Sequence, residues 1–432
     1  MTDPTRYLAR AEALAPVVPG LEGVTPRAVE RVGVVGGGTM GSGIGAAFAD
    51  AGWPVTLIET DAAALERARE RIRGIYRRGG EGERRIGLGT DRRALADADL
   101  VVEAVFEDMA VKQAVFRDLG ALLKPGAILA TNTSYLDVDA IAAATRRPAD
   151  VLGLHFFGPA HRMRLLEVVR AQATAPEVLA TALAVAKRLG KIAIVARVAE
   201  GFVGNRIWAA HRRQCEYLLE DGASPSEIDA AMEAFGFKMG PFAVFDLSGL
   251  DIAWRMRQRL AATRDPAERY VEAPDRLCEA GRLGRKTGAG WYRYPEGARR
   301  GEPDPWVEAL IAQGRAAKGI VPRSFTPEEI RTALLATMVN EAARLLEEGI
   351  AQRPSDVDVA MVHGYGFPAA EGGPLFWADR QGLASVLAEV EALAARNGPV
   401  SAPAPLLLDL VRQGAGFTTW KGDGAGGTGD AP

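Results

Sequence analysis

The stretch Arg31–Glu59, RVGVVGGGTMGSGIGAAFADAGWPVTLIE, sets out in order a short apolar run, a glycine-rich turn, an alanine-rich helix, a second apolar run and an acid. Val32, Val34 and Val35 suit a strand buried on both faces, and Gly36, Gly38 and Gly41 stand at the spacing G-x-G-x-x-G where that strand gives way to a helix. In such a unit the first glycine permits a tight turn, the second lets the backbone approach a pyrophosphate, and the third lets helix and strand pack closely. Gly36, Gly38, Thr39, Met40 and Gly41 therefore form the candidate anion cradle, with N–H groups of the helix N-terminus facing the phosphates. Glu59 closes the run Pro54–Ile58, where a carboxylate accepts hydrogen bonds from ribose hydroxyls and would repel a 2′-phosphate. The stretch thus reads as a dinucleotide site favouring NAD over NADP. A flexible glycine loop is the competing reading, and strand, helix, second strand and acid in one register weigh against it.

Outward from this unit, strand-like runs at 32–36, 54–59, 100–105, 127–131, 151–155, 165–169 and 192–196 alternate with helical stretches at 39–51, 61–77, 109–123, 137–144 and 176–189. Such alternation predicts an α/β fold, a Rossmann-type doubly wound and mainly parallel sheet covered on both faces. Beyond Gly201 the pattern is almost wholly helical and contains a repeat: LLEDGASPSEIDAAMEAFGF at 218–237 is echoed by LLEEGIAQRPSDVDVAMVHGYGF at 345–367. Gly240-Pro241, Asp246 and Gly249-Leu250 recur as Gly373-Pro374, Asp379 and Gly382-Leu383. Two copies of one helical unit, each with an apolar face, are expected to pack on one another. The expected division is an appendage or linker at 1–29 with one helix near Arg6–Leu14, a nucleotide-binding domain at 30–198, and a first helical domain at 199–300. A linker at 301–325, a second, degenerate helical domain at 326–421 and a disordered tail at 422–432 complete it.

The 432 residues carry a net charge of −3, so no electrostatic footprint for nucleic acid is present. Cys215 and Cys278 stand apart, without the spacing of a zinc site or a disulfide framework, and read as buried small hydrophobes; no metal is expected. No apolar run approaches the roughly 18 residues of a membrane span, the N-terminus lacks a basic start followed by an apolar core, and the final GDAP is no peroxisomal address. A cytoplasmic enzyme acting on a small molecule is the expectation.

Chemistry needs more than a cofactor. In GLHFFGPAHRMRLLEVV, His155 ends one expected strand and Glu167 lies within the next. Ligands of doubly wound sheets bind at the carboxyl ends of strands, which puts His155 on the working edge, and histidine exchanges protons near neutrality in both directions. Glu167, flanked by Leu165, Leu166, Val168 and Val169, either points to solvent or partners a buried group such as an imidazole. As a pair they suit a general base with an orienting carboxylate. Asn132 and Ser134, after the apolar run 127–130, share that edge and are candidates for contact with substrate or cofactor; the same residues serve equally as helix N-caps. Asn205 falls where the helical half begins, and its amide suits charge growing on a reacting oxygen. Glu107 and Lys112 straddle a strand-to-helix junction, a separation that more often marks a solvated pair. His161, His211 and His363 belong to no constellation and read as structural.

Taken together, VGVVGGGTMGSGI, LVVEAVFED, TNTSYLDVDAIA, HFFGPAHRMRLLEVV, GFVGNRI, FGFKMGPFAVFDLSGLD and GRLGRKTGAGWY make a specific set, and the second copy matches through MVNEAARLLEEGI, HGYGFP and GGPLFWAD. On these blocks, from about residue 30 to 395, the chain resembles the 3-hydroxyacyl-CoA dehydrogenase family, in particular the dehydrogenase half of the peroxisomal-type multifunctional enzymes of β-oxidation. The resemblance implies His155 and Glu167 as the catalytic pair, Ser134 and Asn205 as substrate-side groups, and Glu59, Glu107, Lys112 and Lys286 as positions associated with NAD. It implies an (S)-3-hydroxyacyl thioester of coenzyme A as substrate, oxidised reversibly to the 3-ketoacyl thioester, within fatty acid metabolism.

Three departures from the family pattern carry expectations. No hydratase-like sequence precedes residue 30, so hydratase activity is not expected. Gly158 stands where the family has asparagine or serine near the nicotinamide ribose, which implies weakened cofactor affinity or a water in its place. The segment RRGGEGERRIGLGT is shorter than the family's CoA-contacting arm; Arg77, Arg78, Arg84 and Arg85 either meet CoA phosphates or form a solvated basic loop. A lapsed, non-catalytic nucleotide-binding scaffold and a dehydrogenase of a free hydroxy acid or carrier-protein thioester are the alternatives. Because the internal duplication supplies the partner that a second subunit otherwise provides, a monomer is expected, with a dimer as the other state.

Overall fold

The computed structural model describes residues 3–77 and 79–422. Two compact units are present: residues 3–206 with Leu345–Tyr365, and Ile207–Arg344 with Gly366–Trp420. Arg78, read as either a CoA contact or part of a solvated basic loop, and residues 423–432 of the tail expected to be disordered lie outside the described residues.

The first unit is built on one sheet of eight strands: β1 (Val32–Val35), β2 (Val55–Ile58), β3 (Ile86–Gly89), β4 (Leu100–Glu103), β5 (Ile128–Thr131), β6 (Val151–Phe156), β7 (Leu165–Arg170) and β8 (Ile192–Arg197). Their order is β3-β2-β1-β4-β5-β6-β7-β8, and every neighbouring pair is parallel except β6 and β7. The chain runs outward from β1 to β3 and then crosses back to β4, which makes the carboxyl ends of β1 and β4 a topological switch point. Alternate residues feed two cores. Val32, Val34, Leu100 and Val102 join one apolar cluster, whereas Val35, Val101 and Leu129 join the other, as a sheet with helices on both faces requires.

Strand β3 was not foreseen. Its sequence, IGLG, is too short and glycine-rich to declare a strand, and its regularity comes from the ladder with β2, where Ile86 pairs with Val55 and Gly89 with Ile58. The rest of the segment after the second strand forms a short turn of helix at Glu81–Arg85, with Arg77, Arg84 and Arg85 exposed.

The N-terminal residues are more than an appendage. Asp3 caps the helix Pro4–Leu14, which buries Tyr7, Leu8 and Ala11 against the helix Pro354–Tyr365. The Tyr7 hydroxyl donates to buried Asp358 at 2.6 Å, and His363 Nε2 meets Glu12 at 2.8 Å. Farther along, the Trp53 indole donates to the Val29 carbonyl at 2.9 Å. Tyr7→Phe removes one donor from a buried carboxylate while keeping the ring; it is expected to lower unfolding free energy by about 1–2 kcal/mol in chemical denaturation.

In the second unit the two helical copies meet through aromatic rings: Phe235 lies 5.7 Å from Phe367 and 6.2 Å from Trp377, both edge-on. Ser224 and Glu227 cap the helix Pro225–Phe235 reciprocally. Buried Asp246 accepts the N–H groups of Trp291 and Tyr292, each at 2.9 Å, and so pins the turn GAGWY at 288–292. Asp379, its counterpart, accepts Phe417 N and Thr418 N, each at 2.8 Å, pinning GAGFT at 414–418. The duplication therefore extends to these turns. The region 301–325, expected as a linker, carries the helix Pro305–Ala317, which buries Val307 and Ile311. Among the described residues no helix is long and apolar enough to cross a membrane, and no group of three or more His, Cys, Asp or Glu is placed to hold a metal ion.

Candidate active site

The glycine turn follows β1 at the switch point. Gly36 adopts φ +94°, a left-handed conformation that side chains rarely take, and a Cβ there would stand 2.7 Å from the Ala104 carbonyl oxygen. At Gly41 a Cβ would come within 1.8 Å of the Gly36 carbonyl oxygen, so helix Thr39–Asp50 can begin against the strand only with glycine there. Gly38 is different: nothing lies within 4 Å of a Cβ built on it. Open space above that one residue of an otherwise tight turn is the cradle a pyrophosphate requires. Glu59 reaches back from the end of β2 to accept the Gly37 N–H at 2.6 Å, which holds the carboxylate beside the turn.

On β4 the side chains are buried to the end of the strand. Glu103 is fully buried and accepts Lys112 Nζ at 2.7 Å and the Thr131 hydroxyl at 2.7 Å. Lys112 is itself 1% exposed, so the solvated Glu107–Lys112 pair expected from spacing is corrected: Lys112 serves mainly the buried Glu103, with Glu107 3.4 Å away. Glu107 instead organises the loop after β5, accepting the Thr133 hydroxyl at 2.5 Å and the N–H groups of Ser134 at 2.9 Å and Tyr135 at 3.2 Å. Sequence reasoning missed Glu103 and Thr131; an acid closing the apolar run LVVE was the available signal.

The antiparallel pairing of β6 with β7 places His155 directly opposite Glu167. His155 Nδ1 lies 2.6 Å from Glu167 Oε2, and Glu167 Oε1 accepts the Gly204 N–H at 2.9 Å. Glu167 is fully buried and His155 4% exposed. Both carboxylate oxygens accept, so Nδ1 carries the proton and Nε2 presents its lone pair, which the Ser134 hydroxyl meets at 3.2 Å. Phe157, 4.6 Å from the imidazole centroid to centroid, and Phe202, at 5.7 Å, wall the ring in apolar surface. Phe202 sits at φ +48°, directly after Gly201 at +76°, and this left-handed turn carries the Gly204 N–H to Glu167. Strain of this kind at a non-glycine residue costs roughly 1–3 kcal/mol and persists where surrounding contacts impose it.

Asn132 accepts the Phe156 N–H at 2.8 Å, bracing the end of β5 against β6. Neither Asn132 nor Ser134 caps a helix; Asp137 does so for Val138–Ala142. Asn205 lies in the first turn of helix Gly204–Asp221, where its Oδ1 accepts the Tyr365 hydroxyl at 2.7 Å. Lys191, just before β8, donates to the carbonyls of Ala160 at 2.8 Å and Met163 at 2.6 Å in the loop after β6, and burial lowers its pKa to about 8. A Cβ at Gly158 would meet only Met40 Sδ, at 3.6 Å, so a side chain is accommodated there. Lys286 belongs to the helical unit, paired with Asp251.

The family model for the NAD-binding domain of 3-hydroxyacyl-CoA dehydrogenase matches residues 31–199, and that for its C-terminal domain matches 201–294 and 330–422. The peroxisomal bifunctional enzyme of Cavia porcellus is 43% identical over 412 residues, covering 90% of this chain and 57% of that protein. The chain thus spans little more than half the length of the curated relatives it matches. The structure of 3-hydroxybutyryl-CoA dehydrogenase from Escherichia coli K12 aligns with a TM-score of 0.77 at 28% identity, over 90% of this chain and 99% of that one. The dehydrogenase part of multifunctional enzyme 1 from C. elegans aligns with a TM-score of 0.69 at 26% identity, over 94% and 96%. With a Rossmann-type NAD-binding domain, a duplicated C-terminal domain and family models matching most of its length, the chain belongs to the 3-hydroxyacyl-CoA dehydrogenase family.

Proposed function

We propose that the chain oxidises the 3-hydroxyl of an (S)-3-hydroxyacyl-CoA thioester to the ketone, reversibly, with NAD as the oxidant. The observation that carries this reading is the His155–Glu167 contact at 2.6 Å, which leaves Nε2 as the acceptor facing Ser134. When bound, the nicotinamide supplies a two-electron acceptor for the carbinol C–H bond. His155 Nε2 takes the hydroxyl proton as the C=O bond forms, and returns it in the reverse direction. Glu167, buried and already oriented by Gly204, stabilises the imidazolium that results. Ser134 holds the reacting oxygen in line with Nε2, and the Asn205 amide donates to negative charge growing on that oxygen. Gly36, Gly38, Thr39, Met40 and Gly41 would hold the pyrophosphate, Glu59 the ribose, and Glu107 and Asn132 the remaining cofactor-side positions of this unit.

An assay of NADH oxidation with acetoacetyl-CoA tests the reading. Turnover with NADH, and far less with NADPH, is expected; silence across short and long ketoacyl-CoA substrates would favour a scaffold whose chemistry has lapsed. Comparing CoA, carrier-protein and free-acid substrates decides the carrier, given the exposed Arg77, Arg84 and Arg85 in place of a longer arm. Packing of the two helical copies within one chain supports a monomer, which light scattering would check. Both cysteines are buried free thiols, in keeping with a reducing compartment such as the cytoplasm; cell fractionation addresses this, since the Cavia porcellus relative is named as peroxisomal.

A further inference from the structure

The second helical copy contributes Leu345–Tyr365 to the same compact unit as the sheet. Its attachment is extensive. Ala351 bridges to Ala196 of β8, and the Arg197 N–H donates to the Ile350 carbonyl at 2.9 Å. Glu348 takes Arg206 in a bidentate pair at 2.5 and 2.7 Å. At the other end of the segment, Gly364 packs so closely on Leu165 that a Cβ would fall 2.6 Å from its Cδ2. The segment therefore grips the start of helix Gly204–Asp221 at two points, Arg206 through Glu348 and Asn205 through Tyr365.

We propose that Tyr365 is a positioning residue for the reaction, holding the Asn205 amide with its N–H₂ end presented to the substrate oxygen; this rests on the role given to Asn205 above. The phenol donates to Asn205 Oδ1 at 2.7 Å, so the oxygen end of the amide is engaged and the donor end is the one turned elsewhere. The same ring stands edge-on to Phe157 at 5.6 Å, and Phe157 lies against the His155 imidazole at 4.6 Å. One side chain thus braces both the amide and the wall of the histidine. A Cβ on Gly204 would lie 2.2 Å from the Tyr365 ring, so the glycine that supplies the N–H to Glu167 also admits the tyrosine.

Internal symmetry separates the hydroxyl from the needs of packing. Tyr365-Gly366-Phe367 in the second copy corresponds to Phe235-Gly236-Phe237 in the first. Phe235 makes ring contacts with Phe237, Phe367 and Trp377. An aromatic ring suffices for the helical scaffold at this position, and the oxygen atom is what the second copy adds. It is spent on Asn205.

Tyr365→Phe keeps the ring and removes the donor. With acetoacetyl-CoA and NADH, its kcat is expected to fall about tenfold, the worth of one well-placed hydrogen bond. KM for NADH, NADH affinity by fluorescence titration and the melting midpoint should stay at parental values. Asn205→Ala is expected to lose more, on the order of 100-fold. Adding Tyr365→Phe to it should cost nothing further, because the hydroxyl then has no amide to hold. Parental kcat in Tyr365→Phe beside an impaired Asn205→Ala overturns this inference alone, as does a tenfold loss that persists in the Asn205→Ala background. Parental kcat in Asn205→Ala overturns the role of Asn205 and this inference with it.

Discussion

His155→Ala is expected to lower kcat by about 10²–10⁴ while leaving NADH affinity unchanged. The expectation follows from where the ring sits. Its Nδ1 proton is committed to Glu167 at 2.6 Å, and its Nε2 is the basic atom that the Ser134 hydroxyl meets, so deleting the ring removes the proton acceptor and leaves the glycine turn untouched. Stopped-flow turnover with acetoacetyl-CoA, together with titration of NADH fluorescence, separates the two quantities. If turnover and NADH binding fell together, the histidine would be holding the fold rather than moving a proton. The surrounding walls, Phe157 and Phe202, make a structural contribution measurable as well: a melting midpoint that drops only slightly in the variant keeps the loss of turnover chemical.

The second large effect concerns the glycine turn, where two substitutions of the same size should part company. Gly41→Ala places a methyl 1.8 Å from the Gly36 carbonyl oxygen, an overlap that only displacement of the helix N-terminus relieves. A loss of stability of about 3 kcal/mol is expected, with NADH binding lost as the N–H groups move out of line. Gly38→Ala places a methyl in open space at φ −63°, so the protein without ligand should keep its stability to within about 1 kcal/mol. Its NADH affinity should nonetheless fall on the order of 100-fold, or about 2.7 kcal/mol, because the methyl fills the room through which the backbone would approach the pyrophosphate. Denaturation of the unliganded variants and NADH titration read the two effects independently. Equal affinity in Gly38→Ala and the parent would remove the anion cradle from that turn.

Much of this site was legible in the chain, for a definite reason. A strand entering a helix through G-x-G-x-x-G, with an acid at the end of the next strand, is a local pattern whose parts lie within about 30 residues, and local patterns report local structure. The same holds for the strand-end location of His155 and for the apolar flanks of Glu167, which implied a buried partner. What the pattern left open was decided by pairing between distant segments. Lys112 reads as a surface residue by spacing, yet Glu103 and Thr131, both at strand ends, draw it into the interior, since a buried carboxylate needs donors. Strand β3 owes its regularity to β2 rather than to its own composition.

By itself, then, the amino-acid order determined the nucleotide-binding unit, the alternation that yields a doubly wound sheet, the duplicated helical half, and the residue types of the pair proposed to transfer the proton. Each follows from hydrophobic period, glycine placement and repeat, which are properties of neighbours along the chain. Tertiary structure alone decided that β7 runs antiparallel to β6, so that His155 and Glu167 face each other in register, and that a segment 160 residues beyond Asn205 delivers the Tyr365 hydroxyl to its amide. Register and long-range docking depend on which buried polar groups find partners once the chain has folded, and a linear reading shows the groups without showing their meeting.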